Sequence, residues 1–339
     1  MYFENRSRQN CAIPSSDYFA NAVTGIKITK PDLSFVIPAY NEEKTILKTI
    51  EVIARQANDL EVSFEIIVID DGSRDGTFSK SLAAGKHYPV RAVRLSRNFG
   101  KENAMTAGLE LSKGSAVVIM DADLQEPVSY LEDMLEEYHN GYDMVYAVRK
   151  SRQDENALKR FLTGHFYKLL KIGSDIPIPA DARDFRLMDR KVVDTILSLP
   201  ERNRFMKGLF SWVGFKSKPI YIDMEKRSQG VSSFGFKALV KLALTALTSF
   251  TNWPLRIWAG IGFLFALSAM IYGSGILLKT LVWGMEVPGF ATITTALFFL
   301  GGIQLISIGI IGEYLSRVFT EVKGRPTYVI AEDVSPRHG

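Results

Sequence analysis

Two stretches without a single charge constrain this chain more than anything else in it. Residues 257–278, IWAGIGFLFALSAMIYGSGILL, and residues 289–312, GFATITTALFFLGGIQLISIGIIG, contain no Asp, Glu, Lys or Arg. About 20 apolar residues in a helix cross the hydrocarbon core of a bilayer, so each run is long enough to span one. The loop between them, KTLVWGMEVP, is short and carries Lys279. Lys237, Lys241 and Arg256 precede the pair, and Arg317, Lys323 and Arg325 follow it. Basic flanks stay on the cytoplasmic side. The runs therefore read as a transmembrane hairpin in the cell membrane, with the large N-terminal domain and both termini cytoplasmic.

The segment 236–256 reads as a juxtamembrane amphipathic helix, because FKALVKLALTALTSF mixes basic and apolar residues at helical spacing. A plain amphipathic core helix is the alternative there. The stretch LKRFLTGHFYKLLK (158–171) has similar character and suits either membrane contact or packing within the domain. RNRFMKGLFSW (202–212) carries an aromatic, apolar face suited to packing. Residues 313–339 read as a cytoplasmic tail.

Ahead of residue 236 the chain is charged and soluble in character. Net charge over all 339 residues is only +4, which argues against a nucleic-acid partner. Cys11 is the single cysteine, so no intrachain disulfide forms and cysteine-based zinc sites are excluded. The histidines His87, His139, His165 and His338 are scattered, without metal-ligand spacing. Residues 1–30 are polar, read as an N-terminal extension and show no secretory signal. Gly301 and Gly302 in the second apolar run are small residues of the kind that let helices approach, so a homo-oligomer is an expectation.

From residue 31 to 235 apolar runs alternate with helical patterns. LSFVIPAY (33–40), FEIIVID (64–70), VRAVRLS (90–96), SAVVIMD (115–121) and YDMVYAV (142–148) read as strands. EEKTILKTIEVIARQA (42–57) and GKENAMTAGLELSKG (100–114) read as helices. Near-continuous Val/Ile strands between helices predict an α/β fold, its parallel sheet covered on both faces. Ligands of such sheets gather outside the carboxyl ends of the strands. Pro38, Tyr40 and Glu42 close the first strand, Asp70 and Asp71 the second, and Asp121 the fourth, so all face one crevice. The first turn, PAYNEEKT, lacks glycine, which excludes a nicotinamide dinucleotide site.

Asp121 and Asp123 flank a single alanine at that crevice. Ionised carboxylates at the end of a buried strand are costly unless a cation, water or ligand stabilises them. Two hard oxygen donors, with the Gln125 carbonyl nearby, suit Mg²⁺ or Mn²⁺ bridging a diphosphate. Pro127 suits the first turn of a following helix, which Glu126 would cap.

The ordered motifs VIPAYNEE, VIDDGSRDGT, RNFGKENAMTAG, MDADLQEP, DARDFRLMDR and RSQGVSSF carry a resemblance. Over residues 33–235 the chain resembles family 2 glycosyltransferases, in the polyisoprenyl-phosphate branch that includes dolichol-phosphate mannose synthase. Its C-terminal pair of spans is similar to the bacterial subgroup acting on undecaprenyl phosphate. The resemblance implies a GT-A catalytic domain, Rossmann-like with a mostly parallel sheet, followed by an interfacial helix and two transmembrane helices. It implies that Pro38, Tyr40, Glu42, Asp70, Asp71 and Asp121 hold the donor nucleotide, and that Asp121, Asp123 and Gln125 hold the metal. Arg149 and Arg160 match positions that contact donor or acceptor phosphate, and Arg227 matches a basic residue of a loop closing over the site. Many relatives carry lysine where this chain has Ser233. Asp184 stands where relatives with hydroxyl acceptors carry a base, with Asp181 as its competitor.

The activity implied is metal-dependent, inverting transfer of a hexose, glucose from UDP-glucose foremost, to undecaprenyl phosphate. Mannose from GDP-mannose and a modified arabinose are the alternatives. A processive polysaccharide synthase would need Gln-x-x-Arg-Trp, which RFMKGLFSW does not supply. A non-catalytic, membrane-anchored nucleotide-sugar-binding protein is the reading from another class. Loss of Asp123 or Gln125 would favour it, and both are present.

Overall fold

The computed structural model describes residues 31–150, 182–202, 204–224 and 289–335, with scattered positions between 262 and 282. The strands are β1 (Leu33–Ala39), β2 (Phe64–Asp70), β3 (Val90–Leu95), β4 (Ala116–Ile119), β5 (Met144–Arg149), β6 (Ala182–Asp189), β7 (Ser217–Ile222) and β8 (Ile330–Val334). The helices are α1 (Ile46–Asp59), α2 (Thr77–Ala84), α3 (Lys101–Leu111), α4 (Leu131–His139), α5 (Arg190–Ser198), α6 (Met206–Trp212) and α7 (Phe290–Val322).

All the strands join one sheet in the order β7-β5-β6-β4-β1-β2-β3-β8. β1 lies at its centre and is buried along its whole length. Alternate residues of a strand face opposite sides. Phe35 and Ile37 meet Ile46, Ile50 and Ile53 of α1, while Val36 on the other face meets Met105 and Leu109 of α3. At Gly108 of α3 an added Cβ would stand 2.2 Å from Val36 Cγ1. Only glycine lets this helix lie so close to the central strand.

The sheet is mixed rather than uniformly parallel. β6 runs antiparallel between β4 and β5, and β8 runs antiparallel along β3. The sequence reading placed no strand at β6, β7 or β8. In β6, ARDFRLMD, charged residues interrupt the apolar run, because that strand begins at the crevice and supplies it with polar side chains. β8, IAEDV, is an edge strand with mostly exposed residues, so it lacks an apolar signature.

α7 continues past Gly312, where the charge-free run ends, through Glu313, Arg317 and Glu321 to Val322. A charge alone does not stop a helix. Gly324, at φ 67° just beyond the Lys323 cap, does. Within α7 the segment Phe299–Val322 is long and apolar enough to cross a membrane, about 36 Å at 1.5 Å per residue. Ile293, Leu297, Leu305, Ile308 and Leu315 are all more than half exposed. The described residues between 262 and 282 are helical, and Phe265 among them packs edge-on against Phe299 at 5.6 Å between ring centroids. The segments 158–171 and 236–256 lie outside the described residues. RNRFMKGLFSW contains α6, whose Met206, Leu209 and Phe210 are buried in the core, as its apolar face suggested.

Candidate active site

Parallel pairing brings the carboxyl ends of β4, β1 and β2 side by side. The loops leaving them are tied together by hydrogen bonds. Asn41, at φ 57°, donates its backbone N–H to Ser73 Oγ (2.9 Å) and accepts from the Arg74 N–H through Oδ1 (3.0 Å). The Glu42 N–H donates to Thr77 Oγ1 (2.8 Å), and the Glu42 carboxylate accepts from Thr45 Oγ1 (2.7 Å). Pro38 is buried in β1, whereas Tyr40 stands 44% exposed at the rim.

Asp70 and Asp71 are both buried. Asp70 accepts the Ser73 N–H at 3.0 Å, and its other oxygen lies 3.4 Å from Arg94 Nε. Asp71 accepts the N–H groups of Phe99 (2.7 Å) and Gly100 (2.9 Å), fixing the loop that leads into α3. Burial raises the pKa of each above the ordinary aspartate value, against the hydrogen bonds that favour the ionised form.

That loop delivers Lys101 to the first position of α3. Its Nζ lies 2.5 Å from Asp121 Oδ1 and also pairs with Asp184 Oδ2. One ammonium therefore joins the residue after β4 to a residue of β6. Burial disfavours the charge on Lys101, but Asp121 and Asp184 outweigh it and hold the ammonium well above the usual lysine range. Burial pushes Asp184 up, yet Lys101 and Lys207 together hold it well below the usual carboxylate range.

A second layer of charge surrounds this trio. Glu126 does not cap a helix. It is 2% exposed and accepts from Arg183 Nε at 2.9 Å, and its other oxygen has no hydrogen-bond partner among the described residues. Burial, with Asp121 nearby, raises it to about 7. Glu102 accepts the Met206 N–H at 3.0 Å, joining α3 to α6, and burial with Asp184 raises it to about 7 as well. Arg186, two residues along β6 from Asp184, stacks its guanidinium 3.7 Å over Phe210, and burial lowers it to about 10. A cavity of about 370 Å³ opens there, lined by Tyr146, Arg186, Lys207, Phe210 and Phe215 among others.

Asp123 is 8% exposed, and its Oδ1 accepts the Gln125 N–H at 3.2 Å within a turn that carries Leu124 at φ 56°. Among the expected site residues, Pro38 and Asp70 stand at the carboxyl ends of β1 and β2, and Tyr40, Glu42, Asp71, Asp121, Asp123 and Gln125 lie on the loops at this sheet edge. Arg149 ends β5 on the same edge. Asp184 is drawn to Asp121 through Lys101. Arg160, Arg227 and the competing Asp181 lie outside the described residues.

Sequence reasoning missed Lys101, Arg183 and Arg186. The available signal was Lys101 itself: a lysine in the first turn of a helix opposes the positive end of the helix dipole, and that needs a reason. As to a divalent cation, two carboxylates already converge on one positive charge. Hard carboxylate oxygens suit Mg²⁺ or Mn²⁺, although among the described residues no three Asp, Glu, His or Cys side chains stand grouped to hold one.

Comparison with known proteins gives the family. Residues 34–197 match the family described as Glycosyl transferase family 2, and residues 253–318 match the GtrB C-terminal hairpin. The chain is 43% identical to an uncharacterized glycosyltransferase of Synechocystis sp., over 89% of this chain and 95% of that one. It is 41% identical to the SfII prophage-derived bactoprenol glucosyl transferase of Shigella flexneri, over 88% of this chain and 97% of that one. Among solved structures it is similar to glucosyl-3-phosphoglycerate synthase from Mycobacterium tuberculosis in complex with Mn²⁺, UDP-glucose and glycerol 3-phosphate. That likeness has a TM-score of 0.42 and 19% identity, over 64% of this chain and 78% of that one.

Proposed function

The chain belongs to glycosyl transferase family 2, and on that premise we propose that it moves glucose from UDP-glucose to undecaprenyl phosphate in a membrane. The observation that carries this reading is the reach of the similarity. Identity to the Shigella bactoprenol glucosyl transferase extends over nearly all of both chains, so it takes in the apolar C-terminal region as well as the crevice. A soluble donor and a lipid acceptor require both parts.

In this reading the loops after β1 and β2 bind the uridine and ribose, with Tyr40, Glu42 and Asp71 nearest the nucleotide. Asp121, Asp123 and Gln125 would hold Mg²⁺ or Mn²⁺, which neutralises charge on the leaving diphosphate. The acceptor phosphate oxygen forms a bond to the anomeric carbon from the side opposite the diphosphate. The bond from that carbon to the diphosphate oxygen breaks, and UDP leaves. A phosphate monoester has a second pKa near about 6 and is largely a dianion at neutral pH. No side chain needs to remove a proton from it. Asp184, held ionised by two lysines, suits charge stabilisation and sugar positioning better than proton abstraction. Arg149, Arg160 and Arg227 are the arginines proposed to grip phosphate, which guanidinium does with paired hydrogen bonds.

The membrane arrangement belongs to the same proposal. Residues 257–278 and 289–312 form the apolar part of a hairpin, with 236–256 in the interface and both ends cytoplasmic. The Phe265–Phe299 contact, the exposed apolar side chains of α7 and the match to a C-terminal hairpin support it. Gly301 and Gly302, with no atom of the described residues within 4 Å of where a Cβ would stand, would let a second copy pack on this face of α7.

The test uses full-length protein in detergent with undecaprenyl phosphate, Mg²⁺ and either UDP-glucose, UDP-galactose or GDP-mannose. Mass spectrometry of the lipid is expected to show one added hexose from UDP-glucose alone. Transfer from another donor would reassign the sugar. A lipid unchanged by every donor would count against the transferase reading.

A further inference from the structure

Lys101 sits where helix electrostatics argue against a cation, since the first turn of a helix carries partial positive charge. Its compensation is the pair Asp121 and Asp184, which its ammonium bridges. The side chain is nevertheless 39% exposed, so its four-carbon stem has open space to move into. Together these features describe a cation that is held by charge and not by packing.

We infer that Lys101 is an exchangeable counter-ion, partly neutralising Asp121 and Asp184 until a nucleoside diphosphate arrives together with the divalent cation that Asp121 would share with Asp123 and Gln125. It then leaves the carboxylates and pairs with the diphosphate. This rests on the donor reading above and adds an order of binding to it. The charge balance gives the reason. Asp121 and Asp184 carry two negative charges and Lys101 one positive, so the trio holds a net charge of −1. A dication arriving alone must displace the ammonium from Asp121 and repels it, leaving it only Asp184 and the buried Glu102 and Glu126 nearby. Arriving with a diphosphate, it brings the anion that the displaced ammonium needs. Lys101 therefore makes metal binding weak alone and strong in the presence of nucleotide, and by reciprocity makes the nucleotide depend on the metal.

The experiment measures Mn²⁺ bound to the full-length protein in detergent, by the electron paramagnetic resonance of the free ion. It is run without UDP and with saturating UDP, with Mn²⁺ complexed to UDP in solution subtracted. In the wild type, UDP is expected to strengthen Mn²⁺ binding by about tenfold or more, a coupling of ordinary size for linked sites. Lys101→Met is expected to bind Mn²⁺ alone about tenfold more tightly than wild type, with the UDP enhancement largely lost. Lys101→Gln removes the charge while keeping a hydrogen-bond donor between the carboxylates, and should behave the same way. Lys101→Arg should keep the wild-type coupling. Neutral variants whose Mn²⁺ affinity without UDP equals or falls below wild type would overturn the exchange role alone, provided the wild type binds Mn²⁺ with UDP. A wild type that binds no Mn²⁺ even with UDP would overturn the metal-dependent donor reading and the inference with it.

Discussion

Both oxygens of Asp71 are taken up by backbone N–H groups of the loop that delivers Lys101, so this carboxylate organises the site from below. Asp71→Ala leaves the Phe99 and Gly100 donors without their acceptor, a loss of about 1–3 kcal/mol for each group that stays buried and unsatisfied. A lower unfolding temperature and weaker UDP binding are expected together. Weaker UDP binding with unchanged stability would show that Asp71 serves the nucleotide alone. At this scale the sequence was legible wherever a carboxylate ended an apolar strand, as at Asp70, Asp71 and Asp121. It was silent on their partners. Lys101 and Asp121 are 20 residues apart and Arg183 and Glu126 57 apart, and only the sheet order brings each pair together.

Among the elements, α3 joins the most parts of the site: Lys101 at its start, Glu102 holding α6, and Gly108 against β1. Gly108→Ala forces a methyl into Val36, and overpacking of this kind costs about 1–3 kcal/mol. Chemical denaturation of the catalytic domain should show that loss; an unchanged midpoint would mean that α3 shifts freely on the sheet.

β8 makes a different prediction. Arg91 donates from Nε and Nη2 to the two oxygens of Asp333, at 2.9 and 2.6 Å, across the β3–β8 pair. These hydrogen bonds hold the Asp333 carboxyl below its ordinary value of 3.8, against partial burial. A lowered carboxylate pKa contributes stability above the unfolded value that is lost as pH falls through the folded one. For this partly exposed pair the amount is about 1 kcal/mol or less. Hydrogen exchange of residues 330–334, corrected for its intrinsic pH dependence, should show protection at pH 7 that fades below about pH 4. Asp333→Asn should reduce protection already at pH 7, and protection indifferent to both would remove the ion pair from the account. Strands β1 to β5 were legible from their apolar runs, which are buried throughout in β1 and β4 and over most of β2. β6 and β8 were not, since one carries the polar groups of the crevice and the other lies on the sheet edge. The charge-free run ends at Gly312, short of the end of α7, because a charge does not stop a helix whereas Gly324 does.

In the molecule as a whole, the chain leaves α7 and returns within a few residues to the sheet, where β8 lies along β3 and the Ser96 N–H donates to Val329 O at 2.9 Å. The helix with a stretch long and apolar enough to cross a membrane is thus tied to the strand that leads into the Asp71-held loop and Lys101. An enzyme joining a soluble donor to a lipid acceptor needs its crevice at a fixed height above the bilayer, and this return gives it a route. The most direct test of the account is the anomeric configuration of the lipid product made from UDP-glucose and undecaprenyl phosphate, read by proton and phosphorus nuclear magnetic resonance. UDP-glucose is α-linked, so a single displacement in the crevice predicts a β-glucosyl phosphate on the polyprenyl chain. An α-linked product, or glucose released without transfer to the lipid, would contradict it.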